Sequence, residues 1–155
     1  MAIPNHSYTS SGSMRLIYLD THVVVWYYAQ DKTRFPEATQ RLLNQHDWYI
    51  SPIVQVELQF LHESGRINPT ADEILEELSA QVGLQLCTKP FTEVVSKASR
   101  LAWTRDPFDR IIVAQAALDS NLLITKDRSI HNHYQLARWA IDSDHTPTQS
   151  HQSGL

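Results

Sequence analysis

The sequence predicts an α/β domain built on a mainly parallel sheet with helices on both faces. Three observations lead there. The strand candidates are short continuous apolar runs, such as Leu16-Ile17-Tyr18-Leu19 and Leu122-Leu123-Ile124, instead of alternating ones. Strands buried on both faces read in that way. Segments of helical period separate them, as a β-then-α order requires. Cap signals at Asp20-Thr21, Ser51-Pro52, Asn68-Pro69-Thr70 and Asp106-Pro107 mark where the helices start.

Taken in order, residues 1–13 are rich in Ser, Asn, Thr and Pro and read as a flexible leader. The folded domain is expected over 14–141, with a polar tail over 142–155. Arg15 to Leu19 is the first strand, and His22 to Ala29 a helix despite three consecutive valines. A polar loop from Gln30 to Phe35 carries Lys32 and Arg34, and Pro36 starts a helix that runs to about Gln45. Trp48 to Ser51 is the second strand. The helix after it holds Ile53, Val54, Val56, Leu58, Phe60 and Leu61 and stops near Gly65. Ile74, Leu75, Leu78 and Val82 recur at helical spacing, with Asp72, Glu73, Glu76 and Glu77 on the wet face. Leu84 to Thr88 is the third strand, and Pro90 to Leu101 a further amphipathic helix. The next helix opens at Asp106 and is apolar over too wide an arc for a surface helix (Ile111, Ile112, Val113, Ala114, Ala116). It should pack between the sheet and other helices and end near Asn121. Leu122 to Thr125 is the fourth strand, closed by Lys126-Asp127-Arg128, and a last short strand is expected in Leu136 to Ile141.

At 155 residues the chain is long enough for one domain with a real core. Its single cysteine, Cys87, allows no disulfide within the chain and reads as a packed side chain; a reducing, cytoplasmic setting is the default. No signal peptide is evident, and no apolar run approaches the roughly 18–20 residues of a membrane span. The net charge of −4 argues against a protein that merely coats nucleic acid, which would usually be basic. Contact with a polyanion would need a local basic patch, or metal ions that cancel acidic side chains.

Four acids stand out by position. Asp20 and Asp127 follow the first and fourth strands, at the carboxyl edge where open α/β sheets bind ligands. Glu57 sits within an apolar helix, and Asp109 lies in the first turn of another, one turn from its Asp106 cap. Clustered carboxylates raise each other's pKa and persist where hard cations share them. An all-oxygen set selects Mg²⁺ or Mn²⁺. Such a site suits phosphodiester hydrolysis, because the ion both activates water and stabilises the leaving oxygen.

The stretch Leu19-Asp20-Thr21-His22-Val23-Val24-Val25-Trp26 resembles the opening motif of PIN-domain proteins. Asp106-Pro107-Phe108-Asp109-Arg110 with Ala114-Gln115-Ala116, then Leu123-Ile124-Thr125-Lys126-Asp127, resembles their closing half. Ser51 to Gly65, with Glu57, matches the middle motif more loosely. The combination is most similar to VapC-type toxins of toxin–antitoxin pairs and covers roughly 14–141. The resemblance implies a three-layer α/β/α fold, Mg²⁺-dependent endoribonuclease activity, a homodimer and inhibition by a cognate antitoxin. By position it makes Asp20, Glu57, Asp109 and Asp127 the catalytic, metal-binding acids, with Thr125 supporting them. Asp106 reads chiefly as a helix cap.

Arg110, Lys126 and Arg128 are the candidate RNA contacts, with Lys32, Arg34 and Arg105 further off. Trp26, Tyr27 and Tyr28 read as core or interface before they read as base-stacking residues. His131 and His133 lack zinc-site company and read as a solvated turn, and His22 as a helix-start contact. Two other readings stay open: a PIN-fold binding module without activity, and a housekeeping RNA- or DNA-processing nuclease without an antitoxin.

Overall fold

The computed structural model describes residues 16–140. The leader and tail expected at 1–13 and 142–155, and Ile141, lie outside the described residues. The chain runs β1 (Ile17–Leu19), α1 (Thr21–Tyr28), a 3₁₀ turn (Lys32–Arg34), α2 (Glu37–Gln45), β2 (Trp48–Ile50), α3 (Pro52–Glu63) and α4 (Ala71–Val82). It continues β3 (Gln85–Leu86), α5 (Phe91–Ala98), α6 (Pro107–Ala117), β4 (Leu122–Ile124), α7 (Arg128–His133) and β5 (Ala137–Arg138).

The sheet has the order β3-β2-β1-β4-β5, and every neighbouring pair is parallel. This is the α/β architecture that the continuous apolar runs predict. β1 and β4 are buried along their whole length. Ile17, Leu19, Ile50, Leu123 and Ile124 belong to one large core with Val54 and Leu58 of α3, Ile112 of α6 and Ile130 of α7. α6 packs against both α3 and α5, as its wide apolar arc requires.

Chain order departs from β1 in two directions, first towards β2 and later towards β4. The gap between the carboxyl ends of β1 and β4 is therefore a topological switch point, the place where parallel sheets hold ligands. Register fixes what stands there. Tyr18 pairs with Leu123 and Leu19 with Ile124, so Asp20 and Thr125 emerge side by side. The Asp20 N–H donates to Ile124 O at 3.0 Å and carries the ladder to the edge.

Several local expectations need correction. Lys126-Asp127-Arg128 does not simply close a strand: Asp127 caps a new helix, α7, by accepting the Ile130 N–H at 3.0 Å. His131 and His133 thus lie on a helix and not in a turn; His133 stacks on Trp103 with ring centroids 4.7 Å apart. β3 is not a buried apolar run but an exposed edge strand of two residues. α6 ends at Ala117, short of Asn121, because Ser120 turns left-handed at φ 54° and Asn121 N–H folds back onto Ala116 O. α5 stops at Ala98 instead of Leu101. Cys87 is buried and accepts the Tyr18 hydroxyl at 3.0 Å, the packed role expected of it.

Candidate active site

Asp20 is the best-anchored acid. It is buried at 4 % exposure, a cost that a carboxylate meets only with partners. Its Oδ1 accepts the Thr21 N–H at 2.8 Å, which caps α1. Its Oδ2 accepts the Thr125 hydroxyl at 2.7 Å. Thr125 in turn accepts the Asp127 N–H at 3.0 Å, so one buried hydroxyl ties the end of β1 to the loop that carries Asp127.

His22 closes the same junction from the rim. Its Nε2 accepts the Lys126 N–H at 2.9 Å, which places the ring proton on Nδ1, 3.5 Å from Asp20 Oδ2. Burial holds the imidazole below its ordinary pKa, and the neighbouring Asp20 and Asp127 only partly oppose this. His131 Nε2 meets Thr125 O at 2.6 Å beneath the loop.

α6 supplies two acids. Asp106 Oδ1 accepts the N–H groups of Phe108 and Asp109, at 2.8 and 3.4 Å, and is the helix cap that the sequence signals. The reciprocal half of a capping box is not made: the Asp106 N–H donates to Thr104 Oγ1. The Asp109 carboxyl is therefore left out of the cap. Burial, and then the charges of Asp20, Asp106, Asp127 and Glu57, push its pKa up to about 7. All five acids thus share one electrostatic neighbourhood.

Glu57, on α3, is half-buried and also raised, first by burial and then by Asp20 and Asp106. The Thr21 hydroxyl makes no hydrogen bond among the described residues, yet it lies near enough to pull Glu57 partly back down. α3 is oriented by Ser51, whose Oγ accepts the Ile53 N–H and donates to Gln115 Oε1 of α6 at 2.9 Å. That buried bond ties the helix of Glu57 to the helix of Asp109.

Thr125 thus ties Asp20 to Asp127 by hydrogen bonds, and Asp20, Asp127 and Glu57 lie near enough to Asp109 for their charges to raise it. The structure adds Asp106 to them. The signal for Asp106 was in the sequence: three residues before Asp109, it lies on the same side of a helix start. His22 was likewise visible, but nothing in the sequence showed that it reaches Lys126. Lys126 and Arg128 are exposed at the rim. Arg110 directs its Nε to Thr104 O at 2.8 Å and braces the loop before α6.

Among the described residues, no three Asp, Glu, His or Cys side chains are already arranged as ligands of one ion. Mg²⁺ needs no such cage: it usually keeps several waters and takes one or two carboxylates. The donors here are all oxygens, Glu57 and Asp109 are both raised, first by burial and then by neighbouring acids, and Asp109 lies outside its helix cap. This donor set fits a hard divalent cation.

A short parallel sheet with acids gathered at its switch point is the PIN-domain arrangement, and the PIN domain family model matches residues 17–136: the chain belongs to that family. It is similar to Ribonuclease VapC22 of Mycobacterium tuberculosis, at 29 % identity over 122 residues, which span 77 % of this chain and 93 % of that protein. In fold it is similar to the structure of VapBC2 from Rickettsia felis bound to a DNA fragment from their promoter. That match has a TM-score of 0.59 at 16 % identity and covers 81 % of this chain and 98 % of that one.

Proposed function

We propose that this chain is an Mg²⁺- or Mn²⁺-dependent endoribonuclease that acts as the toxin of a toxin–antitoxin pair. The observation that carries the reading is the gathering of acids at the switch point, where burial and then the charges of Asp20, Asp106, Asp127 and Glu57 raise Asp109. Evolution of a fold does not hold carboxylates against one another without an occupant that rewards the arrangement. Similarity to a protein named as a ribonuclease supports RNA as the substrate.

Asp20, Asp109, Asp127 and Glu57 would hold the ion, with Asp106 at the edge of the set. A bound divalent ion would supply Lewis-acid stabilisation of the phosphodiester and a more acidic water. The chain's own residues prepare the site. Thr125 and the Thr21 N–H hold Asp20 in one rotamer. Asp127 keeps one oxygen on the α7 N-terminus, which leaves its second oxygen for the rim. Lys126 and Arg128 lie where they would meet phosphates, and offset a net charge of −4 that otherwise repels RNA.

An antitoxin partner and a homodimer belong to the proposal through the resemblance to VapC-type toxins. A reducing, cytoplasmic setting is proposed with it, supported by the free thiol of Cys87. No helix among the described residues is long and apolar enough to cross a membrane. The test is incubation of the purified full-length chain with total cellular RNA and Mg²⁺, followed by sequencing of the new ends. Discrete cleavage sites that vanish on chelation are expected. Intact RNA with Mg²⁺ and with Mn²⁺ overturns the proposal and favours the inactive binding module.

A further inference from the structure

A cleft of about 380 Å³ lies between the end of α1, the 3₁₀ turn, α2 and Gln81 of α4, and the His22 ring reaches from Asp20 to Trp26, one of its walls. We propose that this cleft receives one unpaired base of the RNA strand whose phosphodiester meets the acids. The inference rests on the nuclease reading and adds to it a base-recognition subsite.

Continuity with the acids comes first. His22 lies 3.5 Å from Asp20 on one side, and its ring centroid is 4.8 Å from that of Trp26 on the other. Trp26 forms a wall of the cleft. A strand passing over His22 therefore goes directly from acid to indole.

The walls suit a base. Trp26, Tyr27 and Phe35 line the cleft, and all three are held rigid by other rings. Tyr27 stands edge-on to Trp48 at 4.6 Å and Trp26 edge-on to Trp139 at 5.8 Å, while Phe35 lies 5.5 Å from Trp139. A fixed aromatic face costs little order when a base stacks on it. The remaining lining is rich in amides, among them Gln30, Gln40 and Asn44. Amides offer both donors and acceptors to the edges of an unpaired base. Gln40 already uses its Nε2 on Phe35 O at 3.0 Å, which fixes the side chain and leaves Oε1 as an acceptor. That chemistry selects a base with an exocyclic amine.

The charges suit a phosphate. Lys126 Nζ lies 5.9 Å from the Trp26 ring centroid and Lys32 stands at the cleft, while Arg34, its Cζ 4.8 Å from the same centroid, is paired with Asp31. The one acid in the lining, Asp31, is tied to Thr33 at 2.6 Å and to Arg34 at 2.8 Å, and these bonds hold its carboxyl below the ordinary range. In a protein of net charge −4, this concentration of cations around one indole is where a polyanion approaches.

The experiment measures binding of fluorescein-labelled oligouridylate, oligoadenylate and oligocytidylate to the full-length chain by anisotropy. It uses an Asp20→Asn background so that the strands stay whole. Trp26→Ala should weaken binding about tenfold or more, the loss expected of one stacked base, and Trp26→Phe should restore most of it. Gln40→Ala, on an exposed residue, should reduce the preference for adenine and cytosine over uracil. Unchanged affinity in Trp26→Ala together with unchanged base preference in Gln40→Ala overturns the cleft, and points to a protein segment as its occupant. Cleavage by the otherwise unmutated chain is scored in parallel. Trp26-dependent binding without cleavage keeps the cleft and overturns the nuclease. Cleavage without Trp26-dependent binding does the reverse.

Discussion

Thr125 donates its hydroxyl to Asp20 Oδ2 at 2.7 Å although the two lie 105 positions apart. The Thr125 hydroxyl oxygen in turn accepts the Asp127 N–H at 3.0 Å. One fully buried side chain therefore sets the spacing of two acids that approach from different strands.

Replacing it tests that role. Thr125→Val keeps the shape but leaves a buried carboxylate oxygen and a backbone N–H without their partner. The expected loss is about 1–3 kcal/mol of stability, read as a lowered denaturant midpoint, and RNA cleavage should fall with it. Thr125→Ser should recover both. Full activity in Thr125→Val would show that Asp20 and Asp127 find their places without help.

Asp109 gives a pH dependence of known sign. An unfolded aspartate titrates at about 3.8, whereas in the fold Asp109 keeps its proton up to about 7. The native state binds more protons between those values, so the stabilising contribution is complete below the lower one and is lost as pH rises through the upper. Melting temperatures measured with chelator present should therefore fall across that window. Glu57, also raised, adds to the trend. Asp109→Asn should flatten the profile and melt higher than the parent above pH 7. An identical profile in the variant would remove Asp109 from the cluster.

Asp106 combines a cap with a charge, and two substitutions separate them. Asp106→Ala loses the bonds to the Phe108 and Asp109 N–H groups and should cost about 1 kcal/mol. Asp106→Ser restores the cap but not the charge. If Asp106 serves only α6, the serine variant regains both stability and cleavage. The account expects stability to return and cleavage to remain reduced.

The basic residues differ in what they should do to salt dependence. For single strands each phosphate neutralised adds about 0.7 to the log–log salt slope. Lys126→Ala and Arg128→Ala, on exposed side chains, should each lower the slope by that amount. Arg110→Ala should instead lower stability, because its Nε holds Thr104 O at 2.8 Å. Binding isotherms over a range of KCl concentrations distinguish the two behaviours.

Much of this was legible in the sequence. Asp20 and Asp127 follow uninterrupted apolar runs, and that position alone puts them at the carboxyl edge of a parallel sheet. Asp106-Pro107 announces α6 and hence the place of Asp109. What could not be read is what depends on distant pairing. The sequence shows Thr125 beside Asp127 but not beside Asp20, since only the β1–β4 register joins them. α7 was hidden because Lys126-Asp127-Arg128 looks like a strand exit, while its cap bond needs the backbone turn that follows. Leu84 to Thr88 is legible as a strand, but not its place at the sheet edge, which leaves Gln85 and Leu86 exposed. The aromatic run from Trp26 was assigned to core or interface; Tyr27 does pack on Trp48, while Trp26 keeps part of its surface on a cleft.

The central claim is that these carboxylates share a divalent ion, and calorimetric titration of the full-length chain with Mn²⁺ near neutral pH tests it most directly. The account predicts saturable binding that is weakened at least about tenfold in Asp20→Asn and in Asp109→Asn, about the worth of one charge-assisted contact. No heat of binding in the parent chain, or variants that bind as tightly as the parent, would contradict it.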